Sequence, residues 1–333
     1  MRSEQQIQYQ YPQGHQPGEE TVKTVKDRID PELVPAYPEK SAEVFALITK
    51  DIGAARAAGR ERLDDVKSGQ YPFGGTTELR TVPGLDADPE VPIVIYRDPK
   101  AVSPESVLVW LHGGGYVLGS AHDPWAFRYT PLMTVVSVEY RLAPEHRSPS
   151  APRDACAVLE WLAANASELG LDRSRIVIGG PSGGGGVAAG AALLNRDRGG
   201  PPLRYQLLIY PMIDDTHETE SGRLDLPPGL WTREVSLDAW SVYTEETGTS
   251  RYAAAARAEN VQGLPPAYIM TGDLDLFRDE CIQYASRLMA AGVPVDLAVF
   301  PGAPHGFDLL APDAAVSRRA IDHQLNALRQ VLI

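Results

Sequence analysis

The sequence predicts an α/β protein, with an eight-stranded, mostly parallel sheet covered by helices on both faces and topped by a helical cap. Three observations carry this. Segments with strand character alternate with segments of helical period from residue 77 onward, the pattern of parallel strands joined by crossover helices. Val107–Leu111 and Thr134–Val138 are unbroken apolar runs, as expected of strands buried on both faces. Finally, Arg175–Ile178, a β-branched run, passes through Gly179-Gly180-Pro181-Ser182-Gly183-Gly184 into Val187–Leu194, so a strand, a sharp turn and a helix meet at Ser182.

In chain order, Met1–Gly18 is rich in Gln, Tyr, Pro and Gly and reads as a loosely docked tail. Pro31–Pro38 reads as a rigid extended connector. A helix is expected over Glu39–Ala58, where Val44, Phe45, Ile48 and Ile52 share one face. Residues 1–60 are thus expected to form a tail and cap helix, and 61–333 the main α/β domain. Glu78–Val82 and Val91–Tyr96 alternate as half-exposed antiparallel strands. A helix is expected over Ala151–Leu169 before the strand that leads to Ser182. Tyr205–Tyr210, Ala267–Met270 and Val295–Phe300 complete the strands, with helices near 187–198, 279–291 and 315–331. Residues 212–250 interrupt the alternation and read as a second part of the cap, including a short helix over Ser236–Thr244.

The 333 residues, 43% of them hydrophobic, suffice for a sizeable core. A net charge of −13 argues against nucleic acid and anionic membrane surfaces as partners. The first twenty residues lack an apolar signal region, and no apolar run is long enough to span a bilayer, so a cytoplasmic location is expected. Cys156 and Cys281, the two cysteines, sit in separate helical segments and read as reduced thiols. His217-Glu218-Thr219-Glu220 lacks the second histidine of a zinc helix, so no metal site is expected there.

Gly180-Pro181-Ser182-Gly183-Gly184 fits the G-x-S-x-G nucleophile turn, in which flanking glycines allow close packing and the serine projects from the sheet edge. The stretch lacks the Lys-Ser/Thr pair of a phosphate-binding loop. A serine hydroxyl needs a base to take its proton and an acid to orient that base. Of seven histidines, His305 follows a strand directly, on the Pro/Gly loop Phe300–Phe307, where a sheet presents catalytic groups. Asp273 and Asp275 both follow the strand ending at Gly272, and spacing does not choose between them. Asp279 and Glu280 are expected to cap and charge the next helix. His112-Gly113-Gly114-Gly115 also follows a buried strand, and its uncrowded N–H groups suit an anionic oxygen.

These motifs, with Glu139–His146, Asp275–Glu280 and His305-Gly306-Phe307, resemble the hormone-sensitive-lipase-like family of α/β-hydrolase carboxylesterases, bacterial branch, over residues 75–330. The resemblance implies an α/β-hydrolase fold, a Ser182–Asp275–His305 triad and an oxyanion hole from the N–H groups of Gly114, Gly115 and Gly183. It also implies short- to medium-chain acyl esters as small-molecule substrates, no cofactor, and a possible homodimer. An amidase or deacetylase of a secondary metabolite uses the same triad. A non-catalytic receptor of the gibberellin-receptor type would lack the histidine present here at 305. Pro181 replaces the family's usual acidic residue and Gly183 its usual alanine, removing a charge beside the serine and loosening the oxyanion N–H. Trp125, Trp231 and Trp240 are candidate pocket walls or cap core.

Overall fold

A computed structural model describes residues 24–37, 40–67, 73–244 and 248–332, and the expected tail over residues 1–18 lies outside them. The eight strands are β1 (Thr76–Val82), β2 (Val91–Arg97), β3 (Ser103–Leu111), β4 (Met133–Val138), β5 (Ile176–Pro181), β6 (Tyr205–Ile209), β7 (Ala267–Gly272) and β8 (Val295–Phe300). They form one sheet in the order β1-β2-β4-β3-β5-β6-β7-β8. β2 runs antiparallel to both β1 and β4, and every other pairing is parallel. Every residue of β4, β5, β6 and β7 is buried. Successive side chains point to opposite faces, so both faces of the sheet centre are covered. β2 is more buried than its alternation suggests, because it lies between β1 and β4 rather than at an edge.

The helices are α1 (Val25–Arg28), α2 (Lys40–Phe45), α3 (Ile52–Lys67), α4 (Ser150–Asn165), α5 (Gly183–Arg198), α6 (Arg233–Tyr243), α7 (Arg278–Ala290), α8 (Phe307–Leu310) and α9 (Ala315–Leu332). The single helix expected over 39–58 is broken into α2 and α3. Asp51 restarts the chain by accepting the Ala54 N–H at 2.9 Å, an N-cap bond that competes with continuing the first helix. The expected extended connector at 31–38 is instead a turn and a short 3₁₀ helix, Val34–Ala36, closed by Leu33 N–H to Asp30 O at 2.9 Å. Pro38 lies outside the described residues. α4 stops at Asn165, whose amide donates back to Trp161 O at 2.8 Å. α6 starts earlier than expected because Thr232 accepts the Val235 N–H.

The largest departure is at α5. Gly183–Gly186 form its first turn, although each glycine costs about 1 kcal/mol relative to alanine in a helix. Packing overrides propensity here. A Cβ on Gly184 would sit 1.9 Å from Leu111 O and 2.5 Å from His112 O, so only glycine lets the helix start against the end of β3.

Candidate active site

Ser182 stands between the last residue of β5 and the first of α5. Its backbone takes φ 57° and ψ −123°, a conformation that side-chain-bearing residues rarely adopt and that costs on the order of 1–3 kcal/mol. Two bonds from one neighbouring segment hold it there: Ser182 N–H donates to Ile209 O at 2.9 Å, and Met212 N–H donates to Ser182 O at 3.0 Å. The strain turns the hydroxyl out of the sheet edge.

His305 lies on the loop between β8 and α8, and its Nε2 is 2.8 Å from Ser182 Oγ. Its Nδ1 is 2.9 Å from Asp275 Oδ2. Asp275 is fully buried, and its other oxygen accepts the Phe277 N–H at 2.9 Å. Asp273 turns elsewhere, toward Arg28 at 3.4 Å. The rings of Tyr210 and Phe277 approach the imidazole at 4.7 and 4.9 Å, both edge-on. Asp279 and Glu280 occupy the first turn of α7 but do not cap it. Asp279 accepts the Ser221 N–H at 2.8 Å, and Glu280 accepts those of Ile213 and Asp214 at 3.1 and 3.3 Å. The insertion arrives with its own unpaired amides, and these carboxylates satisfy them.

Facing Ser182 is the loop after β3. Gly114 and Gly115 have φ of 121° and 58°, and a Cβ on Gly115 would fall 2.4 Å from the Trp231 ring. The N–H groups of Gly114, Gly115 and Gly183 donate to no acceptor among the described residues. Gly183 is the opening residue of α5, and a Cβ there would lie 2.9 Å from the nitrogens of both Gly115 and Tyr116. His112 stacks on Tyr140 at 4.2 Å, and Tyr140 OH donates to His112 O at 2.7 Å. Burial holds the His112 pKa below its ordinary value, which favours a neutral ring that shapes the loop.

Ser182 and His305 open into a cavity of about 200 Å³. Its walls are apolar, among them Val44 and Phe45 of α2, Leu118, Leu230, Trp231 and Leu309. Phe45 meets Trp231 edge-on at 5.2 Å, so the N-terminal cap helix and the insertion touch above the serine. Trp125 also lines the cavity, while Trp240 is buried behind it against Tyr116 at 5.0 Å. Pro181, in place of a charge, forms part of the wall. Arg56 lines the cavity too, but its guanidinium is fully engaged by Val117 O, Ala143 O and Glu145 at 2.8–2.9 Å.

The residues that sequence reasoning missed are those bearing on His305. Tyr37 donates to His305 O at 3.3 Å from a connector with no local signal. Tyr210 directly follows β6, so its place at the carboxyl edge of a strand was a usable clue. His217 is buried in the insertion, and no cluster of three His, Cys, Asp or Glu side chains among the described residues is arranged to hold a metal ion.

A family of proteins with the α/β-hydrolase fold matches residues 108–309. Carboxylesterase NlhH of Mycobacterium tuberculosis is 40% identical over 270 residues, covering 77% of this chain and 82% of its own. Esterase LipI of the same organism is 37% identical, covering 68% and 73%. Among solved structures, a bacterial heroin esterase superposes with a TM-score of 0.83 at 40% identity, over 92% of this chain and 98% of its own.

Proposed function

Because the chain belongs to the hormone-sensitive-lipase-like branch of the α/β-hydrolase family, and is a carboxylic ester hydrolase, we propose that it works as a serine esterase through Ser182, His305 and Asp275. The observation that carries this reading is the hydrogen-bonded line from Ser182 Oγ through the His305 ring to buried Asp275, at the floor of the apolar cavity. Nε2 of His305 takes the Ser182 proton as Oγ attacks the ester carbonyl. Nδ1–H faces Asp275, which fixes the tautomer and stabilises the imidazolium. The developing oxyanion is received by the free N–H groups of Gly114, Gly115 and Gly183, at the positive end of α5. The tetrahedral intermediate collapses, and His305 returns the proton to the departing alcohol. Water, deprotonated by the same nitrogen, then attacks the acyl-enzyme, and its collapse releases the acid and restores the Ser182 hydroxyl.

Cavity size and lining support short- to medium-chain, uncharged acyl esters, since a space of about 200 Å³ holds a small ester and, among the described residues, offers no free charged side chain to bind an ionic one. No helix among the described residues is long and apolar enough to cross a membrane. Buried, unbridged Cys156 and Cys281 support a reducing, cytoplasmic setting. The test is hydrolysis of p-nitrophenyl acetate and butyrate. Ser182→Ala is expected to lower kcat by about 10,000-fold or more, and a variant with wild-type turnover would remove Ser182 from the mechanism.

A further inference from the structure

His305 is held by more than its two triad partners. Tyr210 lies one residue beyond the end of β6, fully buried, with its ring 4.7 Å from the imidazole. Its backbone takes φ 33°, a left-handed conformation unusual for a bulky residue. Ile209, just before it, and Met212, two residues after it, make the two bonds that grip the main chain of Ser182. One segment therefore holds the nucleophile with its backbone and touches the base with a side chain.

The Tyr210 hydroxyl is itself tied down. It donates to Asp308 Oδ1 at 2.7 Å, and Asp308 comes three residues after His305, in α8. Asp308 Oδ2 accepts from Arg128 at 2.6 Å and from Gln324 at 2.9 Å. Both partners of this ion pair are buried, at 3% and 0% side-chain exposure. A buried ion pair is weak evidence for stability, because desolvation offsets much of the attraction. This one anchors the tyrosine that packs on the base.

We propose that Tyr210 is a positioning residue for the esterase reaction, with the Arg128–Asp308 pair as its anchor. The ring contact and the hydroxyl bond close a loop running from Tyr210 to His305, along the chain to Asp308, and back to Tyr210. That closed loop keeps the imidazole from swinging away from Ser182 as it gains and loses a proton. The proposal rests on His305 being the general base.

Tyr210→Phe tests it. The variant keeps the ring and leaves Asp308 bonded to Arg128 and Gln324, so no buried charge is orphaned. For p-nitrophenyl butyrate, kcat is expected to fall about 10-fold with KM within about twofold. Labelling of Ser182 by a fluorophosphonate is expected to slow in the same proportion, and the melting temperature to stay within a few degrees. Tyr210→Leu, which also removes the ring contact, is expected to lose about 100-fold in kcat. A purely structural role predicts a lower melting temperature with unchanged kcat per folded molecule. That result, a Phe variant that fails to fold, a kcat and labelling rate within twofold of wild type, or a loss confined to KM would each overturn the proposal. An inactive wild type or an active Ser182→Ala would instead overturn the reading of the site.

Discussion

Replacing Gly183 by alanine restores the residue that the family usually carries there, and the structure predicts that it slows this enzyme. The new Cβ would lie 2.9 Å from the nitrogens of Gly115 and Tyr116 and 3.1 Å from Gly115 Cα. Ordinary contact begins near 3.4 Å, so the glycine loop must retreat by about 0.5 Å, a displacement that overpacked sites resist at about 1–3 kcal/mol. The helix gains up to about 1 kcal/mol from alanine, so the net stability change stays below about 2 kcal/mol. The loop that moves carries two of the three N–H groups proposed to receive the oxyanion. Losing one such donor outright costs about 100- to 1,000-fold in rate, so a partial withdrawal is expected to cost about 10-fold in kcat. Steady-state kinetics on p-nitrophenyl butyrate and a thermal melt of the same preparation measure both quantities. A folded Gly183→Ala variant with kcat equal to or above wild type would refute the argument, because the loop would then yield without consequence. Gly184→Ala is the steric contrast: its Cβ, 1.9 Å from Leu111 O, meets the backbone of a central strand, and the variant should not accumulate as folded protein.

Asp275→Asn should lower kcat by about 1,000- to 10,000-fold, because an amide favours the wrong imidazole tautomer, whereas Asp273→Asn should stay within about threefold; equal losses in the two would contradict the assignment of the acid. Burial of His217 pushes its pKa down from 6.5 to about 4, so as pH falls between these values the unfolded chain binds a proton that the folded protein refuses. Stability from this group is fully present above pH 6.5 and declines toward pH 4, by on the order of 3 kcal/mol. His217→Gln should flatten that acid-side slope in denaturant melts taken at pH 7, 6, 5 and 4, and an unchanged slope would exclude His217 as its source.

Much of the fold was legible because it is written in short-range pattern. All eight strands could be located, since each is a short β-branched or apolar run bounded by polar or turn-forming residues, and α7 and α9 fall within a residue or so of their expected spans. The ends of elements were less legible. Asp51 breaks the cap helix through a local bond that competes with helix continuation, and Gly183–Gly186 are helical against their own preference. In both places a specific hydrogen bond or a backbone contact outweighs a propensity of about 1 kcal/mol.

For the site, sequence by itself determined which residues end on the carboxyl side of strands: Ser182, the glycines after His112, the two aspartates and His305. That much depends only on where each apolar run stops. Tertiary structure decided what depends on direction and on distant partners. It turned Asp275 to His305 and Asp273 to Arg28, and assigned Asp279 and Glu280 to the amides of an insertion some 60 residues away. It also set Tyr210 against the imidazole, anchored by an aspartate 98 positions on. A periodic pattern records which face of an element is buried, but not which atom of another segment will meet it. That is fixed only when the sheet closes and the buried polar groups find the partners they need.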